Sequence, residues 1–116
     1  MNIIIKDKNL FNLNNLIKQE DNTYRFNNKG KSIEFLDDGI YLIYFLIVLN
    51  KTELLKNIKI DFLINKKFNS SLIQLNKTNF LMNKIIKITN KDIISLKNNS
   101  DFSINIENIN IKICKL

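Results

Sequence analysis

The chain of 116 residues contains no histidine, proline, tryptophan or alanine. Without histidine there is no imidazole to act as a base, a proton shuttle or a metal ligand near neutral pH. Without proline, and with only two glycines, there is no rigid linker and no collagen repeat. The single cysteine, Cys114, excludes an intramolecular disulfide. Long apolar runs are also missing. The longest, Ile40 to Leu49, is half the length of about 20 residues that a membrane helix needs, so no membrane insertion is expected. The opening Met1-Asn2-Ile3-Ile4-Ile5-Lys6-Asp7 holds three consecutive apolar residues and does not read as a signal peptide, which predicts synthesis in the cytosol.

Isoleucine, asparagine, lysine and leucine dominate what remains. There are 18 basic and 11 acidic residues, a net charge of +7 and a pI near 9.5. Such a balance attracts polyanions. The lysines are scattered, however, at Lys6, Lys8, Lys29, Lys31, Lys66, Lys67, Lys84 and Lys87, and Arg25 is the one arginine. Lysine, asparagine, isoleucine and phenylalanine are all residues of A/T-rich codons, which explains their joint excess. Nucleic-acid interfaces favour arginine forks and aromatic platforms, so no nucleic-acid partner is expected.

Alternation with period two dominates the chain. Ile58, Ile60, Phe62 and Ile64 share one parity, and Ile86 and Ile88 flank Lys87. Ile94 and Leu96 flank Ser95, Phe102, Ile104 and Ile106 alternate with polar residues, and so do Ile109, Ile111 and Ile113. Each pattern gives a strand one apolar face. The parity changes between Ile106 and Ile109, so Glu107-Asn108 is a tight turn or a bulge between two short strands. Shorter strands are expected at Ile3–Ile5, Tyr24–Phe26, Ser32–Phe35 and Leu72–Leu75. Gly30 and Gly39 follow asparagine- and aspartate-rich turns. Leu10, Leu13, Leu16 and Ile17 fit a short helix or turn capped by Asp7 or Asn9. The reading is a single all-β domain over 1–116, an antiparallel sandwich, with a strand and a short helix or turn within 1–20.

The Ile40–Leu49 strand departs from the alternation. Ile40, Leu42, Tyr44, Leu46 and Val48 form one face and Tyr41, Ile43, Phe45, Ile47 and Leu49 the other, so both faces are apolar. One face of a sandwich strand normally meets water. The second face therefore needs a cover, either a subunit partner or an N-terminal segment of the same chain. The size of the patch favours the partner.

Chemistry finds little foothold. Cys114 has no histidine to activate it and reads as a small buried or interface residue. Asp37-Asp38 is explained by a turn before Gly39; with Asp92, these carboxylates would meet only if assembly multiplied them, and no metal or other cofactor is expected. The sequons at Asn50, Asn69, Asn76 and Asn98 are close to what an asparagine-rich composition produces by chance. No catalytic residues are assigned.

The stretch Asp38-Gly39-Ile40-Tyr41-Leu42-Ile43-Tyr44-Phe45 resembles the motif that opens the central strand in the tumour-necrosis-factor and complement C-one-q superfamily. The order that follows is similar too: Ile58–Asn65, then Ile85 to Leu96 with Asp92 in its turn, then a closing strand from Ile109 to Leu116. Within that superfamily, Asn98-Asn99-Ser100 and the ending Ile111-Lys112-Ile113-Cys114-Lys115-Leu116 look most like the C-terminal domains of collagen-like spore-surface (exosporium) glycoproteins of Bacillus and Clostridium. The likeness spans residues 20 to 116. Lys91 replaces the glycine expected before the aspartate, so that turn is expected to differ in backbone geometry, and the chain has no collagen stretch.

The resemblance implies a ten-stranded jelly roll of the tumour-necrosis-factor (TNF-like) type that assembles as a homotrimer. It implies that Leu42, Tyr44 and, by the same parity, Leu46 line the trimer interface, while Tyr41, Ile43 and Phe45 point into the core. Alternation adds Ile60, Phe62, Ile88 and Ile111 to that core. The function expected is a non-enzymatic structural or interaction head on a spore surface, with itself and other surface-layer or spore proteins as partners. A receptor- or glycan-binding module of the same fold and a phage tail-fibre or virion component are the alternatives, and a basic nucleic-acid-binding protein ranks below both.

Overall fold

Side chains that alternate between apolar and polar favour pleated strands with one face buried. The computed structural model, which describes residues 3–13, 22–53 and 57–116, builds ten of them. They are β1 (Ile3–Ile5), β2 (Tyr24–Asn27), β3 (Ser32–Phe35), β4 (Gly39–Leu49), β5 (Ile60–Ile64), β6 (Lys67–Ser71), β7 (Ile73–Gln74), β8 (Asn79–Ile88), β9 (Ile93–Asn98) and β10 (Ile104–Lys115). Two five-stranded antiparallel sheets result, β1-β10-β4-β8-β7 and β2-β3-β9-β5-β6, called A and B below. Together they make a jelly-roll sandwich.

The core lies between the sheets. Tyr41, Ile43, Phe45 and Ile47 of β4 are fully buried against Ile33, Phe35, Phe62, Ile94 and Leu96 of sheet B. The Phe35 and Tyr41 rings meet edge to face at 4.7 Å, and Phe45 and Phe62 lie 6.1 Å apart. Each such ring stabilises the fold by about 1.5–3 kcal/mol through burial alone. The Tyr41 hydroxyl donates to the Asp37 carbonyl at 3.0 Å, so its polar end is satisfied.

Several strand boundaries differ from the sequence reading. Glu107-Asn108 is a bulge, not a turn: β10 runs through it as one strand of 12 residues, and the register on β4 shifts between Ile106 and Asn108. The extra residue flips the parity, so Ile104 and Ile106 before it and Ile109, Ile111 and Ile113 after it all face the core. The expected Leu72–Leu75 strand shortens to Ile73–Gln74, and β6 precedes it. The expected helix is not formed over its described part. Leu10 bridges Lys97, and the N–H groups of Phe11 and Leu13 donate to the carbonyls of Leu96 and Gly30. These long-range bonds hold the chain extended and bury Phe11 and Leu13 completely. Leu16 and Ile17 lie outside the described residues.

Several turns hold non-glycine residues in the left-handed region, and two of them bear on the sequence reading. The β5–β6 hairpin closes through Asn65 (φ 53°) and Lys66 (φ 66°), the backbone signs of a type I′ turn. Lys91 has φ 71°. Its turn therefore keeps the conformation that glycine favours, contrary to the expectation that losing the glycine would change it.

Candidate assembly face

Cross-strand register defines the outer face of sheet A. Leu42 lies between Ile85 of β8 and Cys114 of β10, and Leu46 lies between Leu81 and Asn110. Tyr44 lies between Asn83 and Lys112, and Val48 lies between Asn79 and Asn108. Ile73 of β7 extends the Leu46–Leu81 row. The face is thus an apolar band along β4 and β8, bordered by a polar β10.

Leu42, Tyr44, Leu46 and Val48 are half-buried by their neighbours in the sheet. Ile40, Ile85 and Ile73 are 43%, 67% and 66% exposed. The described N-terminal residues do not cover this band. After β1 the chain crosses to sheet B, where residues 9–11 run beside β9 and Leu13 meets Gly30. Cys114 is exposed at the upper end of the band, beside Leu42.

Six of the residues assigned to the core, Tyr41, Ile43, Phe45, Ile60, Phe62 and Ile88, are buried. Ile111 is only partly buried. It faces inward, but β1 pairs with β10 only at Ile104–Ile106, so among the described residues β10 borders the sheet from Ile109 onward. Leu42, Tyr44 and Leu46 share the outward face with one another but not with the core group.

The three turn carboxylates near one end of the sandwich are used locally. Asp38 accepts from the Asn90 N–H, and Asp37 lies 4.0 Å from the Lys115 ammonium. Asp92 accepts from the Asn65 amide at 3.0 Å and from the Thr89 N–H and hydroxyl, both at 2.9 Å. Burial pushes the Asp92 carboxyl up, but those three hydrogen bonds outweigh it and leave the group below its ordinary value. Among the described residues no group of three acidic or thiol side chains is placed to hold a metal ion.

Other polar side chains also do structural work that alternation does not signal. Asp61 faces outward on β5 yet is 3% exposed, because it accepts from the Ser71 hydroxyl at 2.9 Å and the Asn99 amide at 2.8 Å. Asn98 is wholly buried, so its sequon offers no acceptor in the folded chain. Exposed aromatics suited to stacking on a glycan are sparse. Phe80 is buried on β8, whereas Phe68 on β6 is exposed beneath the Lys59 ammonium, 5.8 Å from the ring centroid.

No protein-family model matches the sequence, and no curated protein does either. Solved structures do match in fold. Rabbit GITRL aligns with a TM-score of 0.61 at 20% identity, covering 80% of this chain and 76% of its own. Pika GITRL gives 0.60 at 20% identity over 81% and 83%, and bushbaby GITRL gives 0.53 at 14% identity over 86% and 83%. These are members of the TNF superfamily, and the fold of this chain is TNF-like.

Proposed function

We propose that the protein is a non-enzymatic, homotrimeric structural and interaction module whose subunits meet through the outer face of sheet A. The observation that carries this reading is the apolar band of Leu42, Leu46, Val48, Leu81 and Ile85 on strands whose other face already fills the core, extended by Ile73 at the sheet edge. A soluble chain that left the band open would invite uncontrolled association, and a closed symmetric contact removes it. The TNF-like fold supports the same reading.

The test is the absolute mass in solution across a dilution series. The expected mass is three times 13.7 kDa, persisting on dilution. Cys114 supplies a second readout, since its thiol should react slowly in the assembled protein and quickly once Leu46→Asp has separated the subunits. A monomer with an equally reactive thiol in both proteins would sink the proposal.

Placement on a spore surface is a further part of this proposal. It is supported by the likeness of Asn98-Asn99-Ser100 and Ile111–Leu116 to exosporium glycoprotein domains. Immunogold labelling of spores of the source organism tests it; label on phage particles instead would favour the virion variant. Receptor or glycan recognition is less well supported, because Phe68 is the one aromatic among the strongly exposed large hydrophobics of the described residues.

A further inference from the structure

An amine, a carboxamide and a buried carboxylate meet on the outer side of sheet B. The Lys8 Nζ lies 3.2 Å from the Asn99 Oδ1, 3.3 Å from the Asn99 carbonyl oxygen and 3.2 Å from the Asp101 Oδ1. The Asn99 Nδ2 donates at 2.8 Å to the Asp61 Oδ2, and the Ser71 hydroxyl donates at 2.9 Å to the other oxygen of that carboxylate. Lys8 holds φ 60° in the turn after β1, an unfavourable conformation for a lysine. Its tether is long-range, across 91 residues of sequence.

We propose that Lys8 and Asn99 form an intramolecular isopeptide bond. An amine in contact with Oδ1 is at most about 1.2 Å farther from Cγ, one carbonyl bond length. Holding the two groups together replaces a bimolecular encounter with a local one. The neutral Lys8 amine attacks Cγ of Asn99, forming a C–N bond and a tetrahedral centre. The C–Nδ2 bond then breaks and ammonia leaves. The attacking nitrogen loses one proton and the departing nitrogen gains one, so the exchange is balanced without oxidant or cofactor. Asp61 touches the departing nitrogen and acts as the relay: it takes the proton from the tetrahedral centre and delivers it to Nδ2. Asp101 opposes the step, because its contact with the Lys8 nitrogen must open before that nitrogen can reach Cγ.

The bond would fasten the N-terminal segment to the β9–β10 connection, where the segment already borders β9. The experiment is intact-mass spectrometry of the full chain during incubation at mildly alkaline pH, followed by proteolysis. The expected result is the loss of one ammonia and a branched peptide that joins Lys8 to Asn99. Lys8→Arg, at an exposed site, should abolish both while the circular dichroism spectrum stays unchanged. Asp101→Ser should speed the loss, and Asp61→Asn should slow it. An unchanged mass after prolonged incubation overturns the proposal. So does the absence of a branched Lys8–Asn99 peptide; an ammonia loss that persists in Lys8→Arg would then be a cyclic imide at an asparagine followed by serine, Asn69 or Asn99.

Discussion

Replacing Asn98 with leucine tests the polar half of the interior. Asn98 ends β9 with no exposed surface. Its amide nitrogen donates to the carbonyls of Ile5 at 3.1 Å, Lys6 at 3.2 Å and Phe102 at 3.0 Å, and its Oδ1 accepts from the Ser100 N–H at 3.1 Å. One side chain thereby joins the end of β1, the end of β9 and the loop into β10. Leucine has nearly the same size, so Asn98→Leu removes the hydrogen bonds while leaving little cavity. The contacts to Ile5 and Ser100 are the buried ones. A buried group left without a partner costs about 1–3 kcal/mol, whereas water can reach the part-buried Lys6 and Phe102 carbonyls. With two such groups, the expected loss is about 2–6 kcal/mol, a large share of a typical domain's stability. Urea unfolding should show it as a lower midpoint at an unchanged slope. Amide exchange should accelerate first in Ile3–Ile5, the strand that Asn98 pins. A loss below about 0.5 kcal/mol would refute the reasoning, since even one ordinary hydrogen bond contributes that much.

Lys66→Gly and Lys91→Gly should each stabilise the fold by about 0.5–1 kcal/mol, because both lysines hold left-handed φ and relief of that strain exceeds the chain entropy glycine adds; thermal unfolding of the single and double variants checks the sign and the additivity. The Asp92 carboxyl is depressed in the folded state, so its stabilising contribution is complete above the unfolded value of about 3.9 and is lost as pH falls through the lower folded value. Asp92→Asn should therefore destabilise at neutral pH and flatten the acid side of the stability profile, read by urea midpoints across that range. Leu46→Asp should leave the secondary structure intact and reduce the solution mass to that of one chain, by light scattering.

Alternation made most of the fold legible because burial of one face writes period two directly into the sequence. Ile3–Ile5 and Ser32–Phe35 have the same limits in sequence and structure. The parity change at Glu107 was visible, but a turn and a bulge produce the same flip; only the pairing of β10 with β4 on both sides of the flip separates them. Lys67–Ser71 was illegible because an edge strand with an exposed face has little apolar content to alternate. The first half of β8 was hidden for the opposite reason: Phe80, Leu81 and Met82 are apolar on both faces, and a short continuous run carries no period. At the N-terminus, Leu10 and Leu13 suggested helical spacing, whereas the buried pair Phe11 and Leu13 obeys strand spacing. The backbone bonds to β9 and Gly30 decide between the two, and no local pattern encodes them. Within the candidate face, Leu42, Tyr44 and Leu46 were readable from parity, but the polar border along β10 required the register.

The charge on that face gives the proposed assembly a sign that can be measured. Across the register rows of β8, β4 and β10, the outward residues are apolar or uncharged apart from Lys87, opposite Ile40, and Lys112, opposite Tyr44. Residues 62–91, which form the β6, β7 and β8 side of the sandwich, contain lysines and no carboxylate. Copies that meet along these rows bring together more cations than carboxylates, since Glu107 in the β10 bulge is the one carboxylate of β4, β8 and β10, so electrostatics on balance oppose assembly while apolar burial drives it. Added salt screens that repulsion over about 8–10 Å at physiological strength, and the dissociation constant should therefore fall as salt rises. Lys112→Gln should tighten assembly at low salt and remove most of the salt dependence. Binding of a polyanion through the net charge of +7 has the reverse slope, weakening steeply with salt. Sedimentation at several salt concentrations separates the two. Assembly that weakens with salt would mean that ion pairs hold the subunits together, and the contact would then lie on another face than the outer side of sheet A.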